Sequence, residues 1–173
     1  PVDRRQRQMC IRDRFCMAKY GVRPIEFLDD CDWLNPRAWF AHSVHLTQQE
    51  ISLLGSRQCG VSHCPSSNMV LSSGVCKVKE LTTAGVSVGL AVDGSASNDH
   101  SNLIQEARQA FLLQRLFNSD FTHLDALRMA TLGGSEVLSR PELGHLNEGA
   151  AADLAMFDLQ EIQFSGAQDP LAA

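Results

Sequence analysis

Asp93 follows the uncharged run Val86–Val92 and precedes Gly94–Ser95–Ala96–Ser97–Asn98, so one carboxylate stands where an apolar segment gives way to small polar residues. A carboxylate held there can ligate a cation or accept a proton; its plainer use is to cap the helix that begins near Asn102. His42 ends a second apolar segment and His63 a third. Imidazole exchanges its proton near neutral pH, which makes both histidines candidates for chemistry. His42 and His45 are three residues apart, and on a strand that spacing sends them to opposite sides. Only one can face a site, and His42 is the choice, with His45 a loop or capping residue. His63 is a candidate for lining a pocket, with a hydrogen-bonded structural histidine as the alternative. Ser97, four residues beyond Asp93, is a candidate for contact with a bound molecule, whereas Ser66, Ser67 and Asn68 read as turn residues that fix a loop.

The elements that would position these groups repeat along the chain. Val86–Val92 is apolar throughout, as in strands buried on both faces of a parallel sheet, and the carboxyl ends of such strands are where α/β folds bind and react. Phe15–Tyr20 reads as helix ending at Gly21, and Pro24 opens another that closes on the solvated Asp29, Asp30 and Asp32. Trp39–Val44 reads as a strand, followed by a Thr47–Glu50 capping box and a helix through Leu54. Gly60–Cys64 is the next strand, closed by Pro65 and a Ser66–Asn68 turn, with a helix from about Val78 to Ala84. After Val86–Val92 comes a helix over Asn102–Phe117 whose apolar residues imply packing on both sides. Thr122–Asp125 then caps a helix that ends at Gly133–Gly134, a short helix follows around Glu136–Leu138, and Ala152–Asp158 alternates as a strand. Three strand–helix units imply a parallel α/β sheet or part of a barrel. A doubly wound nucleotide-binding fold would need a Gly-rich phosphate loop, and neither G-x-G-x-x-G nor G-x-x-x-x-G-K-[ST] occurs.

Composition narrows the function. The 173 residues, 44% hydrophobic, suit one globular domain. A net charge of −5 gives no footprint for nucleic acid or an anionic membrane, and the longest apolar uncharged stretch, Leu81–Val92, is too short to span a bilayer. Six scattered cysteines without a Cys-x-x-Cys pair imply reduced thiols and a cytoplasmic setting, and Cys59-x-x-x-His63-Cys64 reads as packing in place of a zinc cluster. Residues 1–14 are rich in arginine and fit neither a secretory signal nor a folded element; the change of composition at Phe15 marks them as a non-native leader, with a basic arm as the other reading.

Phe40–Leu46, Ser62–Asn68 and Val92–Asn98 together resemble the last three barrel strands of the metal-dependent amidohydrolase superfamily, in its cytosine-deaminase and chlorohydrolase-like branch. The loop Asp93–Asn98 and the helix Glu106–Arg115 are most similar to those of 8-oxoguanine deaminases and hydroxydechloroatrazine ethylaminohydrolases. Gly144–Gly149 and Ala152–Leu154 resemble the segment that returns such chains to a small β-sandwich. The resemblance implies the C-terminal part of a TIM-like (β/α)8 barrel over residues 15–145 and the start of the return segment over 146–173.

It also implies an activity: hydrolysis of a C–N bond, other than a peptide bond, in a cyclic amidine such as 8-oxoguanine or a related purine or triazine. In such enzymes one divalent metal, zinc or else iron, activates water. The residue matching Asp93 binds the metal and takes the proton of that water. The residue matching His42, at the end of the sixth strand, polarises the attacked carbon or shuttles a proton. His63 and Ser97 would contact the heterocyclic substrate. The family's first-strand His-x-His and its fifth-strand histidine with a nearby glutamate have no counterpart before His42, the first histidine here. A longer parent enzyme, in its full length a candidate homo-oligomer, would therefore be the deaminase and this polypeptide alone inactive. The alternative is a non-catalytic α/β binding or interaction module derived from a half-barrel.

Overall fold

The computed structural model describes residues 12–166 together with 168, 169 and 171, so the expectations for residues 1–11 lie outside the described residues. Residues 12–20 are helical, which places residues 12–14 in a folded element after all. Gly21 then takes φ +76°, a left-handed conformation suited to glycine, and α1 (Pro24–Asp30) begins on its proline.

Three short strands, β1 (Trp39–Ala41), β2 (Gly60–His63) and β3 (Ser87–Leu90), form a parallel sheet in chain order. Trp39 lies beside Gly60 and Gly60 beside Ser87, while His63 lies beside Leu90. The first connection is α2 (Gln48–Ser56), whose Thr47 cap accepts from the Glu50 amide. The second holds α3 (Pro65–Val70) and α4 (Val78–Thr83). Each strand is laid beside the last in chain order, an order shared by barrel segments and by either half of a doubly wound sheet. Strand alternation puts Val61 and Val88 on one face, where they pack with Ile51, Leu54, Leu81 and Ala110. Ile51, Leu54, Val61 and Leu81 lose all exposure, each such burial contributing about 1.5–3 kcal/mol.

α5 (Leu103–Arg115) is capped by Asn102, whose side chain accepts from the amides of Ile104 and Gln105. Asp93 is therefore not the cap of this helix. Nor is α5 enclosed on both sides: Ala107 and Ala110 are buried while Leu103 and Leu112 are exposed. α6 (His123–Arg128) starts at the expected Thr122 capping box. It does not end at Gly133–Gly134; it passes through a π-helical turn, Met129–Gly133, into α7 (Gly134–Val137). A Cβ on Gly133 would lie 2.2 Å from the Val88 carbonyl oxygen, so glycine serves close approach to β3 and not helix termination.

Other differences have local causes. All three strands are shorter than their apolar runs: beyond β1 the chain turns left-handed at His42 and Ser43 (φ 65° and 49°), beyond β3 at Asp93 (62°), and β2 runs into the helix opened by Pro65. Pro65–Asn68 begins a helix, since proline at the first helical position favours one. Ala152–Asp158 forms no strand, and no other described strand lies beside it. The five described cysteines are free, and Cys59, Cys64 and Cys76 are buried packing residues. Burial pushes the Cys64 thiol up to about 11 and that of Cys76 to about 12, leaving both inert at neutral pH.

Candidate active site

The turns that end β1 and β3 bring His42 and Asp93 together across the carboxyl end of the sheet. The His42 amide still donates to the Ser62 carbonyl at 2.9 Å, extending the ladder by one bond before the chain leaves it. Both residues sit in left-handed backbone, which His and Asp tolerate better than most side chains. His42 Nε2 lies 3.6 Å from Asp93 Oδ2, and the two side chains retain 25% and 24% of their exposure, so solvent or a ligand reaches both.

The first turn of α3 supplies the groups that hold this pair. Ser67 Oγ donates to Asp93 Oδ2 at 2.5 Å, and Ser97 Oγ donates to the same oxygen at 3.1 Å. The two hydroxyl oxygens are 2.9 Å apart, and Ser97 Oγ also lies 3.2 Å from the Gly94 carbonyl oxygen. Asn68 Oδ1 accepts from His42 Nδ1 at 2.8 Å. Ser67, Asn68 and Ser97 are buried, so residues expected merely to fix a turn instead touch the two candidate chemical groups, and Ser97 is turned onto Asp93.

A buried carboxylate braces both loops from behind. Glu106 Oε1 accepts from Asn98 Nδ2 at 2.8 Å, and Glu106 Oε2 accepts from the Ser66 amide at 3.1 Å. Asn98 Nδ2 also donates to the Val92 carbonyl at 2.8 Å. Sequence reasoning gave Glu106 no role of its own, yet a signal was available: Glu106, Ala110 and Leu113 share one helical stripe, and all are buried.

Burial opposes ionisation of Asp93, but the Ser67 hydrogen bond, the Gly94 amide, the nearby His42 and the Ser97 hydroxyl outweigh it and hold the carboxyl below its ordinary range. His63 has no exposure, and neither ring nitrogen has a hydrogen-bond partner among the described residues, so the hydrogen-bonded structural role is not what the structure shows. Its burial, with a smaller contribution from His42, lowers its pKa to about 4 and keeps it neutral. His45 is exposed in its loop, as expected. A cavity of about 430 Å³ bordered by Val86, Ser87, Asp120 and Arg128 lies at the opposite end of β3 and shares no residue with this cluster.

The donor set is incomplete for a metal centre. Among the described residues no group of three His, Cys, Asp or Glu side chains could hold an ion, whereas catalytic zinc takes three protein ligands. Asp93 is a suitable single oxygen ligand, and a carboxylate kept ionised beside an imidazole can also move a proton.

Residues 16–173 match the sequence profile of the Amidohydrolase family. The chain is 50% identical over 161 residues to 8-oxoguanine deaminase of Pseudomonas aeruginosa, covering 92% of this chain and 36% of that protein. It is 40% identical over 160 residues to hydroxydechloroatrazine ethylaminohydrolase of Pseudomonas sp. strain ADP, covering 89% of this chain and 33% of that enzyme. Among solved structures it resembles atrazine chlorohydrolase from Arthrobacter aurescens, complexed with zinc, with TM-score 0.88 and 32% identity over 95% of this chain and 37% of the other. The chain thus spans about a third of the length of the curated relatives it matches. With the profile covering all but its first fifteen residues, the chain belongs to the amidohydrolase family.

Proposed function

We propose that this chain carries the late barrel strands of a metal-dependent aminohydrolase that releases ammonia or an amine from a cyclic amidine, with 8-oxoguanine or a related purine or triazine as substrate. The observation that carries the reading is the convergence of His42 and Asp93, from strands separated by β2, on one accessible point with Asp93 Oδ2 clamped by two hydroxyls. Asp93 would be one ligand of a divalent metal, zinc as in the solved relative, and the other ligands would come from a longer protein. Such a metal supplies hydroxide at neutral pH. Asp93, ionised, would take the proton of the attacking water and pass it to His42 Nε2, which would hand it to the departing amine. Ser67 and Ser97 keep the carboxylate aimed. His63, fully buried at the end of β2 between the strands that carry the pair, would line the substrate pocket.

No helix among the described residues is long and apolar enough to cross a membrane, and the free thiols accord with a cytoplasmic enzyme. The reading is tested by expressing the longer reading frame that contains this chain with zinc and measuring ammonia release from 8-oxoguanine, guanine, cytosine and aminotriazines. Turnover is expected, falling by at least about 10²-fold in Asp93→Asn and His42→Gln. Full activity in either variant, or none in the zinc-loaded parent, overturns it. The second of those outcomes favours a non-catalytic binding module, a reading supported by the lack of a three-donor group among the described residues.

A further inference from the structure

We propose that Asn68 is a positioning residue that fixes the tautomer of His42, with the proton on Nδ1, so that Nε2 is the nitrogen that takes up and releases a proton in front of Asp93. Asn68 is 1% exposed and is held within the first turn of α3, so its amide has little freedom. Two donors converge on Asn68 Oδ1: His42 Nδ1 at 2.8 Å and the Ser73 hydroxyl at 3.3 Å, the latter also 3.2 Å from the Asn68 carbonyl. The other end of the imidazole makes no such bond. Nε2 stands 3.6 Å from Asp93 Oδ2, beyond hydrogen-bond length, and that oxygen already accepts two hydroxyls. With the Asn68 amide oxygen turned to the ring, the proton of a neutral imidazole is engaged at Nδ1 and the lone pair is on Nε2, facing the site. An imidazole is useful in proton transfer only when its second nitrogen is committed elsewhere, and here the commitment is to a neutral amide. Asn68 Nδ2, buried and without a partner, is left over by this arrangement.

The consequence for catalysis rests on the aminohydrolase reading, whereas the tautomer itself does not. The test is long-range ¹H–¹⁵N correlation spectroscopy of the full chain labelled at histidine nitrogens, at alkaline pH. The expected result is a pyrrole-type Nδ1 and a pyridine-type Nε2 for His42. An ordinary hydrogen bond shifts a two-state ratio by about tenfold, so Asn68→Leu should move the ratio that far toward the Nε2–H form. Asn68→Asp, which keeps an acceptor at the same place, should restore Nδ1–H. A wild-type His42 protonated on Nε2 overturns the proposal without any variant, as does an unchanged ratio in Asn68→Leu. If the tautomer is as stated while the longer protein releases no ammonia, the functional reading fails and the positioning stands.

Discussion

The packed body and the carboxyl rim of the small sheet are held by different means. From Gly60 at the start of β2 to Gly89 in the second half of β3, neighbouring segments approach so closely that only hydrogen fits at each glycine. A Cβ on Gly60 would meet Trp39 and Val137 at 3.2–3.3 Å, one on Gly89 the Gly134 Cα at 3.0 Å, and one on Gly133 the Val88 oxygen at 2.2 Å. At the carboxyl ends the backbone turns left-handed at His42 and Asp93, and side chains from α3, the Asp93–Asn98 loop and α5 hold it there. Packing in the body makes a platform; at the rim, polar bonds sustain unfavourable backbone that aims two groups outward. Substitutions at the first should act on stability, those at the second on chemistry.

The largest effect is expected at the platform. Gly133→Ala places a methyl group against a fixed carbonyl, and the overpacking should cost about 3 kcal/mol or more in urea unfolding, with Gly89→Ala less affected. A neutral Gly133→Ala would mean that the π-helical turn can lift off β3, and the contrast between body and rim would weaken.

His63 lies between the two regions and should impose a pH dependence on stability. Its pKa falls from 6.5 to about 4 on burial, so between these values the unfolded chain binds a proton that the native one does not. Stability therefore declines as the pH drops from about 6.5 toward 4, by about 3 kcal/mol in all. Unfolding at stepped pH should show this slope, and His63→Phe should flatten it. A slope that survives the substitution would assign the acid sensitivity to other groups.

Much of this contrast is visible in the sequence. The three strand–helix units, the Thr47 and Thr122 capping boxes and the polar groups at the strand ends follow from periodicity and from residues with single-minded local preferences. What periodicity cannot supply is contact at long range. Nothing local distinguishes Ser67 and Asn68 as turn formers from Ser67 and Asn68 as partners of Asp93 and His42, 26 residues away in each case. Gly133–Gly134 reads as a helix stop for the same reason, because the strand it approaches is distant in the chain. Glu106 was the recoverable case, a carboxylate on an otherwise apolar stripe.

The brace formed by Glu106 gives a smaller effect than the platform. Glu106→Gln preserves shape but replaces one acceptor by a donor, so either the Ser66 amide or Asn98 Nδ2 loses its partner in a buried place. The expected cost is about 1–3 kcal/mol. Faster amide exchange in the Ser95–Asn98 loop should accompany it, and unchanged exchange there would separate the brace from the site it is meant to hold.

Asp93→Asn should have the least effect on stability at neutral pH. Asparagine accepts left-handed backbone and can still take hydrogen bonds from Ser67 and Ser97, so the loss is confined to the charge that His42 and the Gly94 amide face, worth about 0–1 kcal/mol at a partly exposed site. The acid limb should change more. The native carboxyl is held below its ordinary range, so Asp93 contributes stability above its unfolded pKa that is lost as the pH falls through the lower native value. Asp93→Asn should remove that part of the slope below about pH 4, leaving the His63 slope at higher pH in place. Should Asp93→Asn instead destabilise the chain at neutral pH as much as Gly133→Ala, the carboxylate would be part of the scaffold, and the division between a packed platform and a chemical rim would not hold.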